Sequence, residues 1–389
     1  MSKIFPEKSI SAVTKVITSP VDKKTMPDEI PVFLCNYTDV YYNSKITGNM
    51  SFMEATAKQS EIDRFSLCPN DVVITKDSES ADDIGIPTYI QSIRENLLCG
   101  YHLTILRPKK NVDGRFLSLT LTHPRISYDF YRYANGITRF GLTTETYSKV
   151  KIPLPPVPEQ KAIAELLSTW DEAIEKTERL IQAKEKTFKQ LLKDLIHQGR
   201  SNHTWKGYNL SDLCSPVSRK NGENNTNVLT SSAQNGLVSQ LEYYNKSVSA
   251  ENVTGYYLLK KGEFAYNRSS AKGYPYGATK RLDRYEKGVL STLYLCFALK
   301  PNAPCESDFL LHLFESGVAN RELRAVCQEG ARSHGLLNIT KSDFFGIKLY
   351  LPAQEQQKKI QSALNTAQEE IDLLKQLSDK YKTQKRGLM

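Results

Sequence analysis

One helix is written into this chain twice, and the distance between the copies never slips. Leu154-Pro155, Gln160-Lys161, Ile163, Leu167, Ile174 and Leu191 return as Leu351-Pro352, Gln357-Lys358, Ile360, Leu364, Ile371 and Leu388, each 197 positions later (360 − 163 = 197). A constant offset over such a stretch means two copies of one element, each preceded by its own globular segment. The expected molecule has two heads and internal symmetry.

The first copy starts at Pro155-Pro156-Val157-Pro158-Glu159-Gln160, where prolines fix the backbone and an acidic residue sits in the first turn. From Ile163 through Leu167, Trp170, Ile174, Thr177, Ile181, Lys184, Phe188 and Leu191 to Leu195 the steps alternate between four and three. That is a heptad seam long enough for a coiled coil. A helix over residues 160–198 spans about 58 Å. The second copy carries Ile360, Leu364, Ala367, Ile371, Leu374, Ser378, Tyr381 and Leu388, with Ala367 where Trp170 stood. Trp170 is expected to fill the space beside Ala367 and make the two helices partners. The roughly 150 residues between them must form a domain at one end of the first helix. Pairing is therefore expected to be antiparallel, in a dumbbell with pseudo-two-fold symmetry.

The segments before the helices correspond more loosely. Residues 142–155 (LTTETYSKVKIPLP) match residues 339–352 (ITKSDFFGIKLYLP) at the same offset, and residues 70–80 resemble residues 262–272. Short alternating runs between Gly, Pro, Asn and Asp turns make both segments mainly strand with some helix. The fold class is α+β. The expected domains are residues 1–152, a central helix over 153–199, a second domain over 200–350 and a C-terminal helix over 351–389.

At 389 residues, 40% hydrophobic, the chain can build real cores, and its formal charge of +9 favours a polyanionic partner. Seven cysteines without a CxxC spacing argue against a disulfide framework and a structural zinc. The N-terminal residues lack the apolar core of a signal peptide, and residues 289–299, the longest apolar run, contain Ser291 and Thr292. A cytoplasmic protein without a membrane partner is expected.

Several chemistries lack their residues. There is no GxxxxGK phosphate loop, no glycine fingerprint for a dinucleotide or methyl donor, and no Asn-Pro-Pro-aromatic strand end to hold a flipped base. The six histidines have no ligand-like spacing, and Glu159-Gln160-Lys161 reads as a helix start. No catalytic residue, metal or cofactor is expected in this chain.

Polar, basic turns with aromatic residues stand out instead. In the second segment Tyr266, Asn267, Arg268, Ser269, Lys272 and Tyr274 leave a strand together, and Ser232, Gln234 and Asn235 form another turn. In the first segment the counterparts are Asn36 and Tyr37, then Thr75, Lys76 and Ser78. Arg139 and Arg332 each precede a run-in to a helix. Arg suits guanine, Asn suits adenine, and Lys and Ser suit phosphate oxygens, so these are the expected DNA-binding residues.

At this point the residues resemble the specificity subunits of type I restriction-modification systems, over essentially the whole chain. The two proline-to-helix transitions look like the family's central and C-terminal repeats. The stretches CNYTDVY (35–41) with DVVITKDSE (71–79), and GYYLLKKGEFAYNRS (255–269) with KGYPYGATKRL (272–282), look like its two target recognition domains. The resemblance implies that each domain reads one half of a split double-stranded DNA target. It implies too that the helices set the gap and dock two methyltransferase subunits, here through Ile163, Leu167, Trp170, Ile174, Ile360, Leu364 and Ile371. Restriction and translocase subunits would join that core, with S-adenosylmethionine, ATP and magnesium bound by the partners. Relatives usually continue the second helix for several turns beyond the point where this one stops, so a looser second docking is expected. The competing reading is a structural adaptor or decoy that binds methyltransferase without productive DNA reading; steep salt dependence and sequence discrimination separate the two.

Overall fold

Uninterrupted apolar runs supply the central strands. The computed structural model describes residues 5–198, 204–232, 236–244, 253–329 and 337–388. It comprises two compact units, Met1–Lys176 with Ser378–Met389, and Thr177–Leu377. Both are α+β, and each contains parts of both long helices, Val157–Leu192 and Gln354–Leu388. A π-helical turn, Lys193–Gln198, extends the first of these.

In the first unit the main sheet runs in the order Thr14–Thr18, Leu103–Pro108, Val72–Thr75, Pro87–Ile90, Lys45–Ile46. Val72–Thr75 is buried at every position, with helices Tyr37–Tyr42 and Gly114–Leu121 packed against it. Burial of both faces is why the strand reads as a continuous apolar run rather than an alternation. In the second unit the order is Cys214–Pro216, Leu295–Leu299, Phe264–Asn267, Ala278–Arg281. The first four strands of one sheet match the four of the other, and the registers agree: Leu106 faces Val72, and Phe297 faces Phe264.

Each unit also closes in the same way. Glu7–Ser9 pairs with Lys151–Pro153, and Lys206–Asn209 pairs with Lys348–Leu351. A one-turn helix follows each first strand, Ile10–Val13 or Leu210–Leu213, and its leading N–H donates to Val150 O (3.1 Å) or Ile347 O (2.9 Å). Tyr147 and Phe344, matched at the 197-residue offset, are both buried.

The start of each long helix is fixed by a glutamine with no exposed surface. Gln160 Nε2 donates to Asn111 O (3.0 Å) and Pro155 O (2.8 Å), while its Oε1 accepts from Asp113 N–H (2.8 Å). Gln357 repeats this: Nε2 to Pro304 O and Pro352 O (both 2.9 Å), and Oε1 from Glu306 N–H (2.9 Å). The amide thus joins the proline run-in, the first turn of the long helix and the cap of a domain helix, Gly114–Leu121 or Ser307–Glu315. A buried amide with all its strong bonds made orders three chain segments at once.

The long helices are antiparallel. In the second unit Leu192 and Ile196, at the end of the first helix and its extension, share a core cluster with Ile360 and Leu364 near the start of the second. Lys184 meets Glu370 there at 2.7 Å. In the first unit Trp170 packs edge-on against Tyr381 (centroids 5.6 Å apart), and Asp171 pairs with Lys385 at 2.5 Å. The expectation that Trp170 fills a space beside Ala367 is corrected: Trp170 belongs to the first unit and Ala367 to the second. Antiparallel pairing sets the early part of one helix against the late part of the other, so Trp170 meets Tyr381.

Candidate nucleic-acid interface

Four chain segments converge at one end of the first domain's sheet. Lys76-Asp77-Ser78 leaves the strand Val72–Thr75, Tyr101-His102 leads into Leu103–Pro108, Tyr37 opens a helix, and Phe140–Gly141 pairs with Asp77–Ser78. Asp77 is the hub: its Oδ2 accepts from Lys76 Nζ (2.6 Å) and lies 2.7 Å from His102 Nδ1. Burial opposes ionisation of Asp77, but the bonds from Lys76 and His102 outweigh it and hold the carboxyl below the usual range. The backbone closes the same contact, Lys76 N–H donating to His102 O (2.8 Å) and Leu142 N–H to Lys76 O (2.9 Å). Tyr37 stacks on Tyr41 at 5.7 Å, and Tyr41 donates to the Asp83 carboxylate (2.9 Å). Burial, then Asp83, raises the Tyr37 phenol, while the Ser78 and Thr75 hydroxyls act the other way.

The corresponding end of the second domain has the same backbone plan and other side chains. Arg268 leaves the strand Phe264–Asn267, its carbonyl accepts from Leu337 N–H (2.7 Å), and its Nε donates to Leu293 O (2.7 Å). Asn267 Oδ1 accepts from Ser269 N–H (3.1 Å) and fixes the turn. Ala271 and Tyr274 then exchange two backbone bonds (3.1 and 2.9 Å) around Lys272-Gly273, with Gly273 at φ +88°. That φ is glycine's region, and it leaves Lys272 exposed at the tip. Tyr274 anchors the tip: its hydroxyl donates to Glu315 Oε2 (2.6 Å) and accepts from Lys280 Nζ (2.9 Å). Lys280 is buried and pairs with Glu315 Oε1 at 2.6 Å. Burial, then Glu315, pushes the Tyr274 phenol up.

Several expected contact residues have structural work instead. Asn36 is buried at the start of helix Tyr37–Tyr42, where its N–H donates to Asp39 Oδ2 (2.7 Å). Thr75 is fully buried, and its Oγ1 accepts from Ile86 N–H (2.9 Å). Tyr266 is a core residue, stacked on Phe344 at 4.5 Å with its hydroxyl on Tyr276 O (2.6 Å). Ser232 is buried at the end of a hairpin strand. Each stands on a strand or helix cap next to a polar run, and neighbouring sequence does not say where the chain turns outward. Gln234, Asn235 and Arg332 lie outside the described residues. Lys76, Ser78, Arg139, Arg268, Ser269 and Lys272 remain partly or fully accessible, as do Tyr37, Asn267 and Tyr274 in part.

Helix residues need a similar correction. Leu167, Ile360, Leu364 and Ile371 are buried, and Ile163, Trp170 and Ile174 half-buried. The seam is used for packing within the chain. Leu166, Leu180, Leu373, Leu377 and Leu388 are the exposed large apolar side chains among the described residues of the long helices. His102, Tyr101, Lys280 and Glu315 carried no clear sequence signal; only Gly100, at a break between two apolar runs, marked the Tyr101-His102 turn.

Among the described residues, no group of three or more His, Cys, Asp or Glu is placed to hold a metal ion, and no helix is long and apolar enough to cross a membrane.

Residues 11–185 match the family described as "Type I restriction modification DNA specificity domain". The putative type I restriction enzyme MjaX specificity subunit of Methanocaldococcus jannaschii is 30% identical over 158 residues, 40% of this chain and 36% of that protein. The type I restriction enzyme MjaVIII specificity subunit of the same organism is 25% identical over 144 residues, 37% of this chain and 32% of that protein. The match thus spans about a third of the length of these curated relatives. The crystal structure of a type-I restriction-modification system S subunit from M. genitalium has a similar fold, with TM-score 0.57 and 14% identity over 100% of this chain and 96% of that chain. A structure described as the basis of complex assembly and conformational transition of the type I R-M system gives TM-score 0.52 and 11% identity, covering 100% and 98%.

Proposed function

Since this chain belongs to the type I restriction-modification specificity subunits, we propose that it reads a split DNA sequence, one half through each globular domain. One observation carries the proposal. Two domains with the same sheet order, the same closing strands and the same glutamine bonds present different polar turns, Lys76-Asp77-Ser78 with His102 in one and Arg268 with Lys272 in the other. A constant frame with two different edges suits an asymmetric two-part target. The charge of +9 supplies the attraction to phosphate on which such reading is built.

The chain performs no chemistry in this account. Methyltransferase subunits dock on the outward faces of the long helices and bind S-adenosylmethionine, while restriction and translocase subunits bring ATP and magnesium. Leu180 and Leu377, 197 positions apart, are both exposed (43% and 36%), so the two helices offer equivalent apolar positions to two copies of one partner. Any base to be methylated is flipped into a partner's pocket.

A salt titration of binding to duplex DNA tests this reading. Affinity is expected to fall steeply from about 50 to 200 mM salt and to differ between target and scrambled duplexes. Flat salt dependence without discrimination supports the adaptor reading instead.

A further inference from the structure

Resting on the DNA-reading function proposed above, we infer that His102 is a specificity-determining residue of the first domain, which reads the polar edge of a base through its Nε2. Its backbone is the first reason. His102 has φ +69°, a left-handed conformation that residues other than glycine adopt rarely and that clusters at functional positions. Nothing about that conformation calls for an imidazole, since glycine or asparagine adopts it more easily.

The second reason is orientation. Asp77 Oδ2 can only accept, so the 2.7 Å contact puts a proton on Nδ1 and fixes both the ring and its tautomer. Nε2 is then available to an outside partner from a side chain that is 43% exposed. Lys76 Nζ shares the same carboxylate oxygen, bringing a cation next to the ring. Tyr101, 47% exposed, lies with its centroid 4.0 Å from that of His102, so the two rings form one aromatic and polar surface.

The second domain supplies the control. The turn entering its matching strand carries Leu293, and Arg268, in the place of Lys76, still bonds that turn's carbonyl. The turn-to-turn contact is kept while its side chain changes from imidazole to isobutyl. A residue serving one half-site alone is expected to vary in this way.

The test selects duplexes from a pool with a randomised central region, using the full chain and its His102→Gly variant. Glycine takes φ +69° without strain, so the variant is expected to unfold at the wild-type temperature; should it not fold, His102→Asn replaces it, because asparagine also adopts this backbone. The wild type is expected to enrich two half-sites. His102→Gly is expected to keep one half-site intact and to lose preference at one or two adjacent base pairs of the other, with affinity there lower by on the order of 10- to 100-fold. If the folded variant enriches the same sequences as the wild type, the assignment of His102 is overturned while DNA reading stands. A wild type that enriches no sequence overturns the DNA-reading function and this inference with it.

Discussion

The strand Val72–Thr75 of the first domain is aliphatic and sets Val72 against Leu106; its counterpart Phe264–Asn267 sets Phe264 against Phe297, rings stacked at 5.2 Å, and Tyr266 on Phe344. Around these different interiors the backbone frame is the same, down to the three bonds of Gln160 and Gln357. Core filling is therefore interchangeable provided volume and burial are kept, since apolar packing is non-directional. The polar junctions are not interchangeable, because each donor needs its acceptor at about 2.9 Å. The comparison separates a frame held by specific bonds from cores and edges free to diverge.

The largest effect that sharpens the contrast belongs to one domain only. Lys280 is buried and faces Glu315, while the matching strand position, set by the pairings Val73 with Thr88 and Ala265 with Lys280, holds Thr88 in the first domain. Glu315→Ala leaves a buried cation and is expected to destabilise the second domain by about 3 kcal/mol. Domain-resolved hydrogen exchange checks this; equal loss of protection in the first domain contradicts it.

Next come the glutamines. Gln160→Leu and Gln357→Leu each orphan one buried N–H and two carbonyls and are expected to cost about 2–3 kcal/mol in their own domains. The shared-frame idea requires the two costs to agree within about 1 kcal/mol. A large cost at one site and none at the other, measured by urea unfolding, breaks the comparison.

A smaller difference is set by pH. Burial lowers the His312 imidazole below its ordinary value, against the bond to Asn365 and the charges of Asp308 and Glu315. The native state therefore favours neutral His312, whereas the unfolded chain takes up the proton near pH 6.5. The stability from this site is present above about pH 6.5 and lost as pH falls below it. The second domain is expected to lose protection as pH falls below about 6.5, and His312→Leu to remove that slope. An unchanged slope in the variant assigns the pH response elsewhere.

The smallest effect lies in the helices. Ser378 is buried with its hydroxyl unpaired, so Ser378→Ala is expected to stabilise by about 0.5–1 kcal/mol. A lower melting temperature counts against that placement.

The repeat made the helices, their antiparallel pairing and the two α+β domains legible in the sequence. Upstream the match of residues 70–80 with residues 262–272 holds, since Val72 and Phe264 begin equivalent strands, but the offset slips from 197 for a physical reason. Gln160 and Gln357 hold Asn111 and Pro304, an offset of 193 (304 − 111 = 193), because the second copy has four more residues between these contacts and its helix. Strand pairing keeps the correspondence in space, while the four extra residues loosen it in sequence. Site residues were less legible. Tyr266 follows two apolar residues and precedes Asn267-Arg268, so local reading placed it with the polar turn; partners as distant as Phe344 decide that it faces inward. His102 acquires its role from Asp77, 25 positions away, through pairing of Leu103 with Thr75.

Methylation-site mapping in cells that express this chain with its partner subunits tests the two-domain account most directly, comparing wild type with Arg268→Ala. The account predicts two half-sites separated by a fixed gap, with Arg268→Ala altering recognition in one half only. A single continuous site, or equal loss in both halves, contradicts it.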